Sequence, residues 1–190
     1  MTVNNKEYNF AEHCLYSIDP QIPKPILDEM FNQCKNLEFN KGLTHENLNE
    51  DIRKSGVKWL NWDTWIAGII NNIMISANND YFHYDLDHFD SGVQVTKYQP
   101  NDFYGWHVDM LPVHTKDSYT RKLSMSLLLN DDFEGGELEV ANTIDNTSFI
   151  LKLKAGSDAV FPSWVKHRVK PVTSGTRYSL VAWMNGPQFK

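Results

Sequence analysis

Three residues of the chain could hold a metal ion between them: His107 and Asp109, two positions apart, and His167, sixty residues beyond His107. In an extended segment residues i and i+2 share a face, so the imidazole and the carboxylate can converge on one ion. His167 opens a later β-rich run, HRVKPVT, as a site pinned between two strands of a rolled sheet requires. Two imidazoles and one carboxylate cover one face of an octahedron and leave adjacent positions open, a donor set suited to non-haem iron(II) and also to a catalytic zinc. Cys14 and Cys34 are the only cysteines and stand in no paired spacing. They read as buried thiols of a reducing compartment, and any metal must be held by nitrogen and oxygen.

The H-x-D spacing alone carries little weight. With 7 histidines in 190 residues, composition yields about half such a motif per chain by chance. A second one exists, His83-Tyr84-Asp85, with Asp87 and His88 close behind; it reads as a polar connecting segment, because no later histidine stands in matching spacing to a basic residue. His107 gains its weight from Arg177, ten residues after His167 in the run TRYSLVAWMN. Alternation places Arg177 and Ser179 on one strand face. An unpaired buried charge costs several kcal/mol, so an arginine among apolar strands needs an anion. A dicarboxylate held at its other end by the metal would be one, and guanidinium grips a carboxylate through two parallel hydrogen bonds.

These residues need a rigid frame. Residues 23–37 place Ile26, Met30, Phe31, Cys34 and Leu37 at helical spacing, with Pro25 near the start and Asp28 and Glu29 in the first turn. Residues 61–78 repeat the pattern with Trp62, Trp65, Ile66, Ile69, Ile70 and Ile73, capped by Asn61 or Asp63. From residue 91 the period changes to two. Seven β-rich runs follow: 91–99, 122–130, 136–141, 149–156, 157–163, 167–173 and 176–185. FEGGEL supplies a Gly-Gly turn, and Lys152 and Lys154 alternate with apolar residues along a strand with one wet face. The expectation is a mainly β sandwich or barrel behind N-terminal helices: one domain over 1–190, with 1–90 as helical support and 91–186 as the catalytic core.

Hydrophobic residues make up 41% and charged residues 22% of the chain, a globular composition. A net charge of −6 without a long Lys/Arg run argues against nucleic acid as partner. The opening MTVNNKEYNF lacks a leader pattern, and no apolar run approaches membrane-spanning length. A soluble, cytoplasmic chain with no membrane partner is expected. Oligomeric state is not written in the sequence.

Three ordered blocks resemble the prolyl 4-hydroxylase-like branch of the Fe(II)/2-oxoglutarate dioxygenases, including the bacterial PKHD-type hydroxylases. They are YQPNDFYGWHVD, RKLSMSLLLNDDFEGGEL and GSDAVFPSWVKHRVKPVTSGTRYSLVAWMNG, within residues 93–186. The resemblance implies a double-stranded β-helix, or jelly roll. It implies His107, Asp109 and His167 as iron ligands and Arg177 on the distal carboxylate of 2-oxoglutarate, with Tyr98, Ser124 and Ser179 as further co-substrate contacts. The implied reaction inserts one oxygen of O2 into a C–H bond, of a prolyl or other peptidyl residue, while 2-oxoglutarate is decarboxylated to succinate; ascorbate is a candidate reductant. Phe103, Tyr104, Trp106 and Trp164 flank the ligands and are candidates for a substrate mouth; Arg53-Lys54-Ser55 is a further candidate to reach it but reads better as a solvated loop. A peptide or protein is the expected substrate, with a small molecule as the other choice. Leu128 departs from a tyrosine that some peptidyl-prolyl members carry there, which opens the question of substrate class. The rival classes are a zinc hydrolase, which leaves Arg177 and Ser179 without a role, and a non-enzymatic jelly-roll binding module, which gives no reason to retain all four residues.

Overall fold

Both expected helices form, each around a stripe of residues three and four apart. The computed structural model describes residues 14–18, 22–42, 49–110, 119–142, 145 and 147–188; the stretch MTVNNKEYNF lies outside them. Helix α1 (Lys24–Lys35) starts behind Pro23, with Pro25 in its first turn. Its buried stripe is Leu27, Met30 and Cys34, so the core face is turned slightly from the predicted one and Ile26 is left 40% exposed. Asp28 lies past the first turn and pairs with Lys24 at 2.8 Å on the exposed side, a contact worth little.

Helix α2 (Trp65–Ala77) is capped neither by Asn61 nor by Asp63 but by Thr64, which is extended and accepts a hydrogen bond from the Ala67 amide. That start rotates Ile66, Ala67, Ile70, Met74 and Ala77 into the core. It leaves Trp62 at 73% and Trp65 at 41% exposure, contrary to their expected packing role. A π-helical turn, Asn78–Phe82, follows and ends at His83 in the left-handed region, φ 54°.

The strands are β1 (Tyr16–Ile18), β2 (Asn40–Lys41), β3 (Arg53–Lys54), β4 (Gly56–Leu60), β5 (His88–Phe89), β6 (Val93–Tyr98), β7 (Phe103–His107), β8 (Thr120–Leu128), β9 (Phe133–Gly135), β10 (Leu138–Asn142), β11 (Thr147–Leu151), β12 (Asp158–Pro162), β13 (His167–Val169), β14 (Val172–Gly175) and β15 (Arg177–Gly186). The larger sheet runs β1-β12-β8-β15-β6-β4-β2, with β5 against the end of β15; the smaller runs β11-β10-β13-β7-β3. From β6 to β15 the chain passes back and forth between the two sheets, in the antiparallel order of a double-stranded β-helix.

The support region is therefore not helical alone: β1 to β5 lie in it, and β2, β3 and β4 extend both sheets. Two expectations about turns also change. The Gly135-Gly136 turn does not close a hairpin, because β9 pairs with β14 and β10 with β13 and β11; its positive φ angles, 72° and 64°, carry the chain from one ladder to another. The wet-faced strand ends at Leu151, before Lys152 and Lys154.

Alternation along the larger sheet divides the core. Val93, Val95, Leu123, Met125, Leu127, Val160 and Leu180 pack with the helix stripes. Tyr98, Ala159 and Phe161 face the smaller sheet's Leu138, Val140 and Val169. The helices thus back the larger sheet and leave the space between the sheets for the site. Replacing Thr64 by Ala removes the α2 cap; the expected cost is about 1 kcal/mol, read as a melting midpoint lower by ~2–4 °C for a chain of this size.

Candidate active site

His107 ends β7 and His167 begins β13, and the two are direct partners in the ladder. Asp109 follows two residues beyond the strand end, where the amides of Asp109 and Met110 both bond the Ser163 carbonyl at 2.9 Å. The result is a three-sided set. His107 Nε2 lies 3.6 Å from Asp109 Oδ1 and His167 Nε2 lies 3.5 Å from Asp109 Oδ2, and the three donor atoms all fall within 4.8 Å of one another. Among the described residues no other group of His, Cys, Asp and Glu converges in this way. Of the residues close behind the second H-x-D, His88 is engaged elsewhere: its Nδ1 meets Asp87 at 2.7 Å and its Nε2 meets Asn185 at 3.1 Å.

The outer nitrogens set the tautomers. His107 Nδ1 lies 2.8 Å from the Gly105 carbonyl and His167 Nδ1 lies 2.9 Å from that of Val165. A carbonyl only accepts, so each Nδ1 carries the hydrogen and each Nε2 presents a lone pair to the centre. Burial first, and repulsion from His167 second, push the His107 imidazole down to about 3. Burial acts to raise the Asp109 carboxyl, but the neighbouring His167 and His107, together with side-chain hydrogen bonds, outweigh it and leave the group below its ordinary range. A divalent cation requires an ionised carboxylate and free Nε2 lone pairs from its ligands.

Across the cavity, at the start of β15, Arg177 is 2% exposed. It stands opposite Tyr98 in the β15–β6 ladder, with the guanidinium 5.5 Å from the Tyr98 ring centre. Its Nη1 donates to Ser179 Oγ at 2.7 Å, and that hydroxyl is in turn bonded to Thr96 Oγ1. Among the described residues no carboxylate lies within ion-pair distance of it. Burial accordingly lowers its affinity for its proton, with only Tyr98 acting the other way. Gly136 makes room for the side chain: a Cβ there would lie 3.0 Å from Arg177 Cδ and 2.8 Å from Val172 Cγ2.

The intervening cavity is about 600 Å³. Tyr98, Tyr104, His107, Asp109, His167, Arg177 and Ser179, all expected from the sequence, line it. Four candidates do not. Trp106 is turned away because it adjoins inward-facing His107 on the strand, and Phe103 because a bulge lets Tyr104 pair with Val169 while His107 pairs with His167. Tyr104 and His107 thus share the inner face, stacked at 3.6 Å, whereas Trp106 sits under Arg168 at 4.6 Å. Trp164 lies in the turn after β12, beside the Tyr84 hydroxyl. Ser124 lies beneath the metal donors, bonded to Ser163 Oγ at 2.9 Å and directed at Asp109, and so supports a ligand rather than the co-substrate. Leu128 is buried opposite Ser179 and does not line the cavity.

Sequence reasoning missed Trp59, Arg121 and Trp183, which also line the cavity, and misplaced Arg53. Arg53 is 6% exposed, pairs with Tyr104 through β3 and β7, and holds its guanidinium 4.6 Å above the Tyr104 ring. Trp183 was findable, since the alternation that joins Arg177 to Ser179 continues through Val181 to Trp183, all four lining the cavity.

The fold and this site define a jelly-roll protein with a facial donor set and a buried arginine facing it. Residues 93–185, just under half of the chain, match the model of the 2OG-Fe(II) oxygenase superfamily. It is 40% identical over 100 residues to a PKHD-type hydroxylase of Xylella fastidiosa (strain M12), covering 48% of this chain and 43% of the relative. It is 41% identical over 91 residues to one of Shewanella oneidensis, covering 46% and 40%. The match thus spans less than half the length of these relatives. Among solved structures, a prolyl-4-hydroxylase of Pseudomonas putida superposes with a TM-score of 0.75 at 22% identity, over 94% of this chain and 95% of that one. A prolyl hydroxylase of Trichoplax adhaerens, in complex with a hypoxia inducible factor peptide, gives 0.75 at 19%, over 90% and 83%. These neighbours bear out the double-stranded β-helix.

The site carries a pH signature. In the unfolded chain His107 takes up its proton near 6.5; in the folded metal-free protein it does so near 3. The unfolded state therefore binds more protons in that interval, and stability falls as pH drops from about 6.5 toward 3. Asp109, held below its ordinary value, acts in the same direction at the acid end. His107→Gln should flatten the upper part of the melting-midpoint profile, measured in the presence of a chelator.

Proposed function

We propose that the chain is an iron(II)- and 2-oxoglutarate-dependent hydroxylase that acts on a C–H bond of a peptidyl residue, with proline the first choice. The observation that carries the reading is the buried Arg177 facing three converging metal donors across one cavity. His107, Asp109 and His167 would hold iron(II), and Arg177 with Ser179 would receive the distal carboxylate of 2-oxoglutarate. Iron(II) with ionised Asp109 leaves one net positive charge, Arg177 adds a second, and the dianion offsets both. When bound, metal and keto acid supply the activation of O2 that couples decarboxylation to succinate with hydroxylation; ascorbate would serve as reductant.

The protein's share is placement. The Gly105 and Val165 carbonyls orient the two imidazoles, and Tyr104 is stacked on the His107 ring. Thr96 and Ser179 hold the guanidinium in position, and Leu138, Phe161 and Val169 keep that end of the cavity apolar. Asp109 is the only carboxylate among the described lining residues, which leaves a zinc hydrolase without a general base. The peptide bound to the Trichoplax neighbour supports a peptide substrate, and the PKHD-type relatives support a hydroxylase. No helix of the described residues is long and apolar enough to cross a membrane, and Cys14 and Cys34 are buried thiols, in keeping with a cytoplasmic setting.

Anaerobic addition of Fe(II) and 2-oxoglutarate should give the weak visible charge-transfer band of a metal-chelated keto acid, and admission of air should yield succinate. Arg177→Ala should weaken 2-oxoglutarate binding at least ~100-fold, as expected for loss of a charge-assisted bidentate pair, with iron binding largely kept. His107→Ala should remove both. No band and no succinate from folded protein would overturn the reading.

A further inference from the structure

Arg53 reaches the metal donors through another side chain. It opens β3 and stands opposite Tyr104 in the β3–β7 ladder. Its guanidinium carbon lies 4.6 Å from the Tyr104 ring centre, and that ring lies 3.6 Å from the His107 ring, with the two planes 13° apart. A cation, a phenol ring and a metal-donor imidazole thus form one column, and the cation stands within about 8 Å of the imidazole. Each part is fixed. Arg53 Nε donates to Ser55 Oγ at 2.9 Å, and Gly42 leaves room for that contact, since a Cβ there would lie 2.8 Å from Arg53 Nε and 2.5 Å from Ser55 Oγ. The same edge holds His107 by a second route: the Ile52 carbonyl accepts from the Gly105 amide at 2.7 Å, and the Gly105 carbonyl accepts from His107 Nδ1.

An apolar side chain would fill the space of Arg53, which is 6% exposed, without taking a charge out of water. What the guanidinium adds is a permanent positive charge set where the effective dielectric is low. Three arginines line the cavity, and they serve different ends. Arg121 is offset by Asp90 at 2.8 Å, and Arg177 faces the co-substrate end. Arg53 is the one stacked toward a metal donor. When an ion held by His107, Asp109 and His167 passes from the divalent to the trivalent state, one electron leaves and one unit of positive charge is added beside that column. A fixed cation nearby opposes the change.

We propose that Arg53 is a positioning residue of the metal centre, acting through Tyr104 on His107, and that its charge biases the bound ion toward the divalent state. The inference rests on the proposed function for the identity of the ion as iron. Its test is a potentiometric titration of the iron-loaded protein, with and without 2-oxoglutarate, in which one electron per ion passes to a soluble mediator and the ferric form is followed by EPR. Arg53→Gln should favour the ferric form about 3–30-fold, as expected for removing a unit charge at ~8–11 Å and an effective dielectric of ~20–40. Arg53→Lys, which keeps the charge, and Tyr104→Phe, which keeps the ring, should each stay within about twofold of the unaltered protein. An unchanged ratio in Arg53→Gln overturns the inference, and a fall in its Mn(II) affinity alongside would assign Arg53 to packing alone. A shift in Arg53→Lys or Tyr104→Phe as large as that in Arg53→Gln overturns it too, since charge would not be what the column contributes. Should Arg53→Gln fail to fold, Arg53→Met, which keeps the apolar stem, gives the same comparison. A shift that persists in protein giving no keto-acid absorption band would keep the inference and remove the proposed reaction instead.

Discussion

Where β7 meets β13, His107 and His167 stand directly opposite one another, and the rest of the site is arranged around that pairing. Ladder register alone fixes the separation of the two imidazoles. The strand end then delivers Asp109 to the Ser163 carbonyl, so the third donor is placed by backbone hydrogen bonds as well. The extra residue in β7 turns Tyr104 inward against His107, and Arg53 reaches the same stack from the neighbouring strand. A one-residue slip of β13 would exchange its inner and outer faces and dismantle the set.

The larger sheet makes the complementary contribution. Arg177 is placed by its pairing with Tyr98 and held by the Ser179 hydroxyl, itself bonded to Thr96, yet it is buried without a carboxylate from the described residues. A cation in that state opposes folding by several kcal/mol, and the core of two sheets and two helices must tolerate the cost. The fold thus keeps a charge imbalance on one wall of the cavity and an electron-rich donor set on the other.

Much of this was legible because strand alternation has a period of two and admits little ambiguity. Arg177 and Ser179 share a face as expected, and His107 and His167 converge. The failures have local causes. Trp106 was assigned to the cavity for adjoining His107 in sequence, although alternation turns such a neighbour outward; a bulge, which alternation cannot reveal, brings Tyr104 in and sends Phe103 out. Helical periodicity gave both helices, but the cap at Thr64 rather than Asn61 or Asp63 shifted which residues face inward and left two tryptophans at the surface. Short edge strands such as β3 carry only two residues, too few for any period, and Arg53 was taken for a loop residue. Ser124 was given to the co-substrate because only three-dimensional packing reveals that it sits behind Asp109.

Val108 lies between the two β7-end donors, 43% exposed at the rim of the cavity. Its side chain serves neither the ion nor the core, so steric demands on it are slight. The motif therefore separates two kinds of information within three consecutive residues: the outer pair fixes where two donor atoms meet His167, while the middle position is a free dial. Turning that dial would retune what the rim admits without moving the donors beneath it.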